Sequence, residues 1–287
     1  MRVYTIRLII ALLSWSAAVI AQAAPQQSDA IPGPTARILV TIASSGRTPA
    51  KTDFAAFVDN QPAHIVELLA AKDDQLIFAV LMDVSSSSRD KQTFEKKASV
   101  ELFRALKTGE NIGYFGGFDN EVYLKNSPTA LASVNAELKK IDVFGGRTAF
   151  YDAVFRAAQL VGRAPSQPNA RRAVFVLTDG DDNDSHRTLK EATQEAQRQG
   201  VAVFCVALDS SKKAATRLRM LSAETGGSAV FLTRANHFIP PLLRVLQDQY
   251  WVTLTVPGAG DSKLNTFTLA SSDSGARISA PTYVLLH

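Results

Sequence analysis

From residue 76 to about residue 246, unbroken apolar runs alternate with segments whose apolar residues recur every three or four positions. An unbroken run of four to eight apolar residues marks a strand covered on both faces, the signature of a parallel sheet, and the three-to-four spacing marks an amphipathic helix. The runs at 76–82, 111–116, 121–124, 173–177, 201–207 and 228–232 are predicted strands. Phe94, Ala98, Leu102, Phe103 and Leu106 form one helical packing stripe, Leu131, Val134 and Leu138 a second, and Val154, Ala157 and Val161 a third. Thr188-Leu189-Lys190-Glu191 has the form of a capping box, and Gly200 ends the helix that follows. A further helix over 214–225 stops at Gly226-Gly227. Strands and helices in strict alternation predict an α/β fold with a doubly wound, mostly parallel six-stranded sheet.

Outside that stretch the pattern changes. Residues 36–68 and 250–286 alternate polar and apolar positions and are broken by Gly, Pro, Asn and Asp, as strands with one wet face are. Strands are predicted at 36–42, 54–65, 250–256, 265–270 and 276–285, with the two distant flanks pairing into one small β-sandwich. The predicted organisation is residues 1–23 as a signal peptide, 24–34 as a linker, 35–72 as an N-terminal β-rich flank, 73–248 as the α/β domain and 249–287 as a C-terminal β-rich flank.

The opening segment places Arg2 and Arg7 before the apolar run 8–20 and then Ala21-Gln22-Ala23, the charged, apolar and small-residue regions of a secretory signal. Cleavage is expected after Ala23; the alternative is an uncleaved anchor helix, for which the run is short. Either way the chain is expected to be exported, periplasmic or secreted, with no stable membrane insertion after cleavage. Losing Arg2 and Arg7 lowers the formal charge from +4 to about +2 and leaves no long basic run, which argues against a nucleic-acid partner. Arg171-Arg172 and Lys96-Lys97 read as solvated faces. The single cysteine, Cys205, lies inside an apolar run and reads as a small buried thiol, so no internal disulfide is possible.

Candidate chemistry sits where the first core run ends, at Asp83-Val84-Ser85-Ser86-Ser87. Along extended chain Asp83, Ser85 and Ser87 point one way and Val84 and Ser86 the other, so the strand's carboxyl end presents three oxygen ligands together. Ligands of doubly wound sheets bind at that edge. Gly145-Gly146-Arg147-Thr148, ahead of a helix, adds a hydroxyl, and the run 174–177 leads into Thr178-Asp179-Gly180 and adds a second carboxylate. Hard oxygen donors of this kind suit magnesium, or manganese, in preference to a soft metal.

Asp83-x-Ser85-x-Ser87, then Thr148, then Asp179-Gly180, in that order on alternating strands and helices, resembles a von Willebrand factor type A domain. The resemblance covers about 76–246, and Gly145 to Ala153 with Ala223-Glu224-Thr225-Gly226-Gly227 further resembles a bacterial secreted subgroup with β flanks. It implies a Rossmann-like fold and a metal-ion-dependent adhesion site at these five positions. Ser85, Ser87 and Thr148 would be direct or switching ligands of magnesium, Asp83 and Asp179 the charged, often outer-shell ones. A vacant coordination position would take an Asp or Glu carboxylate from a protein partner. Arg147, in a loop of otherwise small residues, bears on the charge at that open side.

Other acidic residues have plainer readings. Asp181, Asp182 and Asp184 suggest either a second cation or, more simply, solvated turn and helix-start acids. Asp152 either buttresses Thr148 or starts a helix, and Asp119 is a turn residue. His64, His186, His237 and His287 are widely separated, and neither a nucleophile elbow nor a phosphate loop occurs, so an enzyme is not expected. The alternatives are a magnesium-dependent periplasmic hydrolase, with Asp83 or Asp179 as the base, and a fold whose ion is purely structural.

Overall fold

The computed structural model describes residues 33–44, 47–86, 92–141, 146–208, 210–232, 238–256 and 264–286. The signal-like segment, most of the linker and Ser87 lie outside them.

The α/β region is built on a six-stranded sheet of order β6-β5-β4-β7-β8-β9. Its strands are β4 (Leu76–Asp83), β5 (Ile112–Phe118), β6 (Val122–Leu124), β7 (Arg171–Thr178), β8 (Ala202–Leu208) and β9 (Ala229–Leu232). Five run parallel; β6 turns back on β5 as an antiparallel edge, because only Asp119 to Glu121 separate the two and a parallel return needs a crossover. Helices α1 (Gln92–Leu106), α2 (Val134–Lys140), α3 (Phe150–Arg163), α4 (Leu189–Arg198), α5 (Lys212–Glu224) and α6 (Ile239–Gln247) cover both faces. The central strand β4 shows how: Ile77, Ala79 and Leu81 pack into a core with α3, α4 and α5, while Leu76, Phe78, Val80 and Met82 pack into a second core with α1, α2 and α6. Phe78 sits 5.4 Å from the Phe103 ring of α1, and Phe175 stacks on Phe204 at 5.0 Å. The capping box forms as the sequence implies, Thr188 accepting from the Glu191 N–H and Glu191 answering the Thr188 N–H. Cys205 is fully buried, and burial pushes its thiol up to about 12. One stripe residue departs from expectation: Leu131 lies in a short 3-10 turn (Leu131–Ser133) ahead of α2 and is 45% exposed.

The two flanks make one seven-stranded antiparallel sheet of order β12-β1-β10-β3-β2-β11-β13. These strands are β1 (Thr35–Ala43), β2 (Phe54–Val58), β3 (Gln61–Ala70), β10 (Gln249–Thr255), β11 (Leu264–Ser271), β12 (Arg277–Ser279) and β13 (Tyr283–Leu285). It replaces the expected two-sheet sandwich. Every strand is joined in one ladder, yet Ile278 and Val284, from opposite edges, share a hydrophobic cluster with Ile38, Val58 and Val252, which requires the sheet to curl on itself. The segment expected as one strand over 54–65 is a hairpin, because Asp59 and Asn60 both take positive φ (47° and 62°), the backbone of a tight two-residue turn. The segment expected over 276–285 likewise splits into β12 and β13.

Arg171 overturns its reading as a solvated side chain. It is 6% exposed and donates to the Lys72 and Asp74 carbonyls, both at 3.1 Å, to the Leu246 carbonyl at 2.9 Å and to Gln249 Oε1 at 3.1 Å. Those acceptors belong to the two places where the chain passes between the sheets, so one guanidinium fastens both crossings.

Candidate metal centre

β4 ends at Asp83, which pairs with Phe118 of β5 and lies one step beyond the Met82–Leu177 pair, beside Thr178 of β7. Parallel register therefore brings the carboxyl ends of two strands 95 residues apart into direct contact: the Thr178 hydroxyl donates to Asp83 Oδ2 at 2.7 Å. Asp83 Oδ1 accepts the Ser85 N–H at 3.0 Å, which turns the chain out of the strand with Ser85 1% exposed. Val84 goes into the core, on the Met82 side of the sheet. The Ser86 hydroxyl then reaches the Gly146 carbonyl at 2.9 Å and ties this loop to the one that carries Thr148.

The Thr148 loop is pinned from two further sides. The Ala149 N–H donates to the Asp119 carbonyl at 2.6 Å, and the Thr148 N–H to Asn183 Oδ1 at 2.8 Å. The Thr148 carbonyl in turn accepts the N–H groups of Asn183 and Asp184, each at 3.0 Å. Gly146 permits this approach: its φ is +84°, and a Cβ there would stand 2.5 Å from Asn120 Oδ1. On the β7 loop, Gly180 also takes φ +84°, its N–H donating to Thr178 Oγ1 at 2.9 Å, while Asp179 accepts the Asp181 N–H at 3.1 Å. Ser210 clamps the Asp179 carbonyl at 2.7 Å.

The structure thus gathers Asp83, Ser85, Thr148 and Asp179, all buried, on three cross-bonded loops at one edge of the sheet. Ser87, the fifth predicted ligand, lies outside the described residues. Burial pushes Asp83 up to about 6, and the negative charge of Asp179 adds to the rise, against hydrogen bonds from Ser85 and Thr178 that favour the carboxylate. Two neighbouring carboxylates with buried hydroxyls beside them fit a hard divalent cation, whose charge would remove the cost of ionising Asp83 next to Asp179. Among the described residues, no group of three or more His, Cys, Asp or Glu is placed to hold a metal, so the hydroxyls are essential to such a site.

The surrounding acids take structural parts. Asp152 accepts the N–H groups of His186 at 2.9 Å and Arg187 at 2.8 Å, holding the loop that carries Asn183; hydrogen bonds to the carboxylate leave it below the usual range although burial is the largest influence and opposes them. Asp182 accepts from the Ser185 hydroxyl and, at 3.3 Å, from the Tyr151 N–H, so it caps α3 from another loop. Asp181 pairs with Arg217 at 3.5 Å and Asp184 with Arg147 at 3.3 Å. Arg147 also donates to the Asn183 carbonyl and so braces the loop behind Thr148. Asp119 accepts the Glu121 N–H at 2.9 Å, the turn role expected of it. Sequence reasoning missed Thr178 and Asn183 as supports. The alignment of two strand ends could have pointed to Thr178; Asn183 carries no local signal, because its partner is 35 residues away.

The comparisons bear on the fold. The family model for the von Willebrand factor type A domain matches residues 79–239. A von Willebrand factor type A protein from Catenulispora acidiphila shares 13% identity at a TM-score of 0.51 over 91% of this chain and 74% of its own. Proximal thread matrix protein 1 from the mussel byssus, solved with a zinc-occupied MIDAS motif, shares 14% identity at a TM-score of 0.50, over 64% of this chain and 48% of its own. An aerotolerance-related membrane protein from Bacteroides fragilis NCTC 9343 aligns over 60% of this chain and 98% of its own, at 15% identity and a TM-score of 0.46. No curated protein matches the sequence. With the domain match spanning more than half of its residues, the chain belongs to the von Willebrand factor type A family.

Proposed function

We propose that this chain is an exported binding protein that holds a divalent cation, magnesium by the hardness of its ligands, at the carboxyl edge of its parallel sheet. Asp83, Ser85, Ser87, Thr148 and Asp179 would hold it. The observation that carries the reading is the Thr178–Asp83 bond, which sets Asp83 beside Asp179 in a buried edge already rich in hydroxyls. A bound cation would supply a positively charged coordination position open to exchange, suited to an Asp or Glu side chain of a protein partner. The chain's own part is to keep its loops rigid: Ser86, Asn183 and Ser210 fix the three segments, so the oxygens need little reordering when the ion arrives.

The zinc-occupied MIDAS motif of the mussel protein supports a divalent ion on this fold and makes zinc the competitor to test. Export, to the periplasm or outside the cell as in a bacterial secreted subgroup, rests on the charged, apolar and small-residue pattern of residues 1–23. Among the described residues no helix is long and apolar enough to cross a membrane. We assign no catalytic step, since the two carboxylates that could act as a base are those given to the ion.

Calorimetric titration with magnesium, manganese and zinc tests the reading. Saturable binding of at least one ion is expected, and Asp83→Ala should weaken it about tenfold or more. A pull-down from envelope extract should recover a partner in magnesium and lose it in chelator. Absence of ion binding, or a D83A variant with unchanged affinity, ends the proposal; partner capture that ignores chelator reduces the ion to a structural role.

A further inference from the structure

At the opposite end of the parallel sheet, a cavity of about 280 Å³ lies between the amino-terminal ends of β7 and β8, the end of α4 and the side of β1 and β10 that carries Arg37 and Trp251. Its wall holds three arginines, Arg37, Arg172 and Arg198, and no Asp or Glu among the described residues. The Arg37 guanidinium lies over the Trp251 ring, 5.0 Å from its centre, and donates to Asn169 Oδ1 at 2.6 Å. Arg172 meets only neutral acceptors, the Ser166 hydroxyl at 2.9 Å and the Ala170 carbonyl at 3.4 Å, and its Nε is buried without a partner. Arg198 stands 3.7 Å from Glu195. Gln197, 7% exposed, spends its amide nitrogen on the Glu224 carbonyl at 2.8 Å and leaves its own carbonyl oxygen buried with no partner.

Guanidiniums that face no carboxylate, here Arg37 and Arg172, are a preformed demand for a planar anion. We infer that this cavity binds a compact organic anion, a carboxylate or phosphate carried on a single ring. Arg37 and Arg172 take the anionic group in charge-assisted hydrogen bonds. Trp251, whose indole N–H is held by Asp74 Oδ2 at 2.8 Å, lies under the Arg37 guanidinium and fixes it at the cavity wall. Arg198, 3.7 Å from Glu195, offsets the negative end of α4, from which an anion would otherwise be repelled. The volume suits a single ring with its substituents and little more. This site shares no residue with the cation site and does not depend on it.

The test is calorimetry on the full chain with three probes: 4-hydroxybenzoate, 4-hydroxyphenyl phosphate and the uncharged 4-hydroxybenzamide. At least one anion is expected to bind with a Kd below about 1 mM. The amide should bind about tenfold more weakly or not at all, and the preferred anion tells carboxylate from phosphate. Arg172→Gln and Arg37→Gln should each weaken the anion about tenfold while leaving divalent-ion binding unchanged. Should R172Q fail to fold, R37Q decides, because Arg37 is exposed and its loss spares the core. The inference is overturned if neither anion binds, if the amide binds as tightly as they do, or if folded variants keep the wild-type affinity.

Discussion

The two sheets solve the burial problem differently. Every residue of β4 is buried, with side chains alternating between two helix-covered cores, whereas β1 sends Ala36, Ile38, Val40 and Ile42 into one apolar core and leaves Thr35, Arg37 and Leu39 exposed or half-buried on its other face. A strand covered on both faces has no flank left for chemistry, so its polar residues are confined to its ends, and that is where Asp83 and Thr178 stand. The outer face of the curled sheet carries Arg37 and Trp251, which line a cavity together with Arg172 and Arg198 of the α/β region.

The sharpest way to probe this contrast is to empty each core in turn. Phe78→Ala, which removes a fully buried ring packed against Phe103 and Phe175, should cost about 3–5 kcal/mol, and Leu254→Ala in the curled sheet about 2–4 kcal/mol, both read from denaturant unfolding. If the sheets fold as one unit, each variant shifts a single transition seen alike by far-UV and near-UV signals. Arg171→Ala should cost about 3 kcal/mol, because it strands buried carbonyls at both chain crossings, and should separate the transitions of the two sheets. A single unbroken transition in R171A would show that packing, not this guanidinium, couples them.

A third effect belongs to the strand end alone. Asp83 titrates near pH 6 when folded, above its ordinary value of 3.8, so the folded state favours the protonated form. Its contribution is complete below about pH 4 and is lost as pH rises through about 6, which by pH 7 amounts to about 2–3 kcal/mol. Without divalent ion, the stability of wild type relative to Asp83→Asn should therefore fall between pH 4 and 7 in thermal melts. Adding magnesium at pH 7 should raise the wild type and leave D83N in place; a flat difference across that pH range would contradict the burial argument.

Much of this was legible along the chain. The apolar runs placed all six strands of the α/β sheet to within a few residues, and most plainly β4 and β7, because covering a strand on both faces leaves a local mark that needs no knowledge of its neighbours. Thr188 and Glu191 announced their cap because both partners lie within one turn. The turn at Asp59-Asn60 was also written locally, yet the alternation on either side reads as one long strand unless those two residues are given weight. Arg171-Arg172 misled, since two adjacent arginines look solvated until the carbonyls at Lys72, Asp74 and Leu246 converge on one of them.

The sequence by itself determined the periodicities, the order of the elements and the three segments that offer oxygens at strand ends, because each is fixed by contacts within a few residues. Only the tertiary structure decided that Thr178 bonds Asp83, that Asn183 braces Thr148, that the distant flanks close into one curled sheet and that three arginines face a common cavity. Those arrangements depend on which strands become neighbours and in what register, and pairing across 35 to 238 residues is set by the packing of whole elements, which no local stretch of chain encodes.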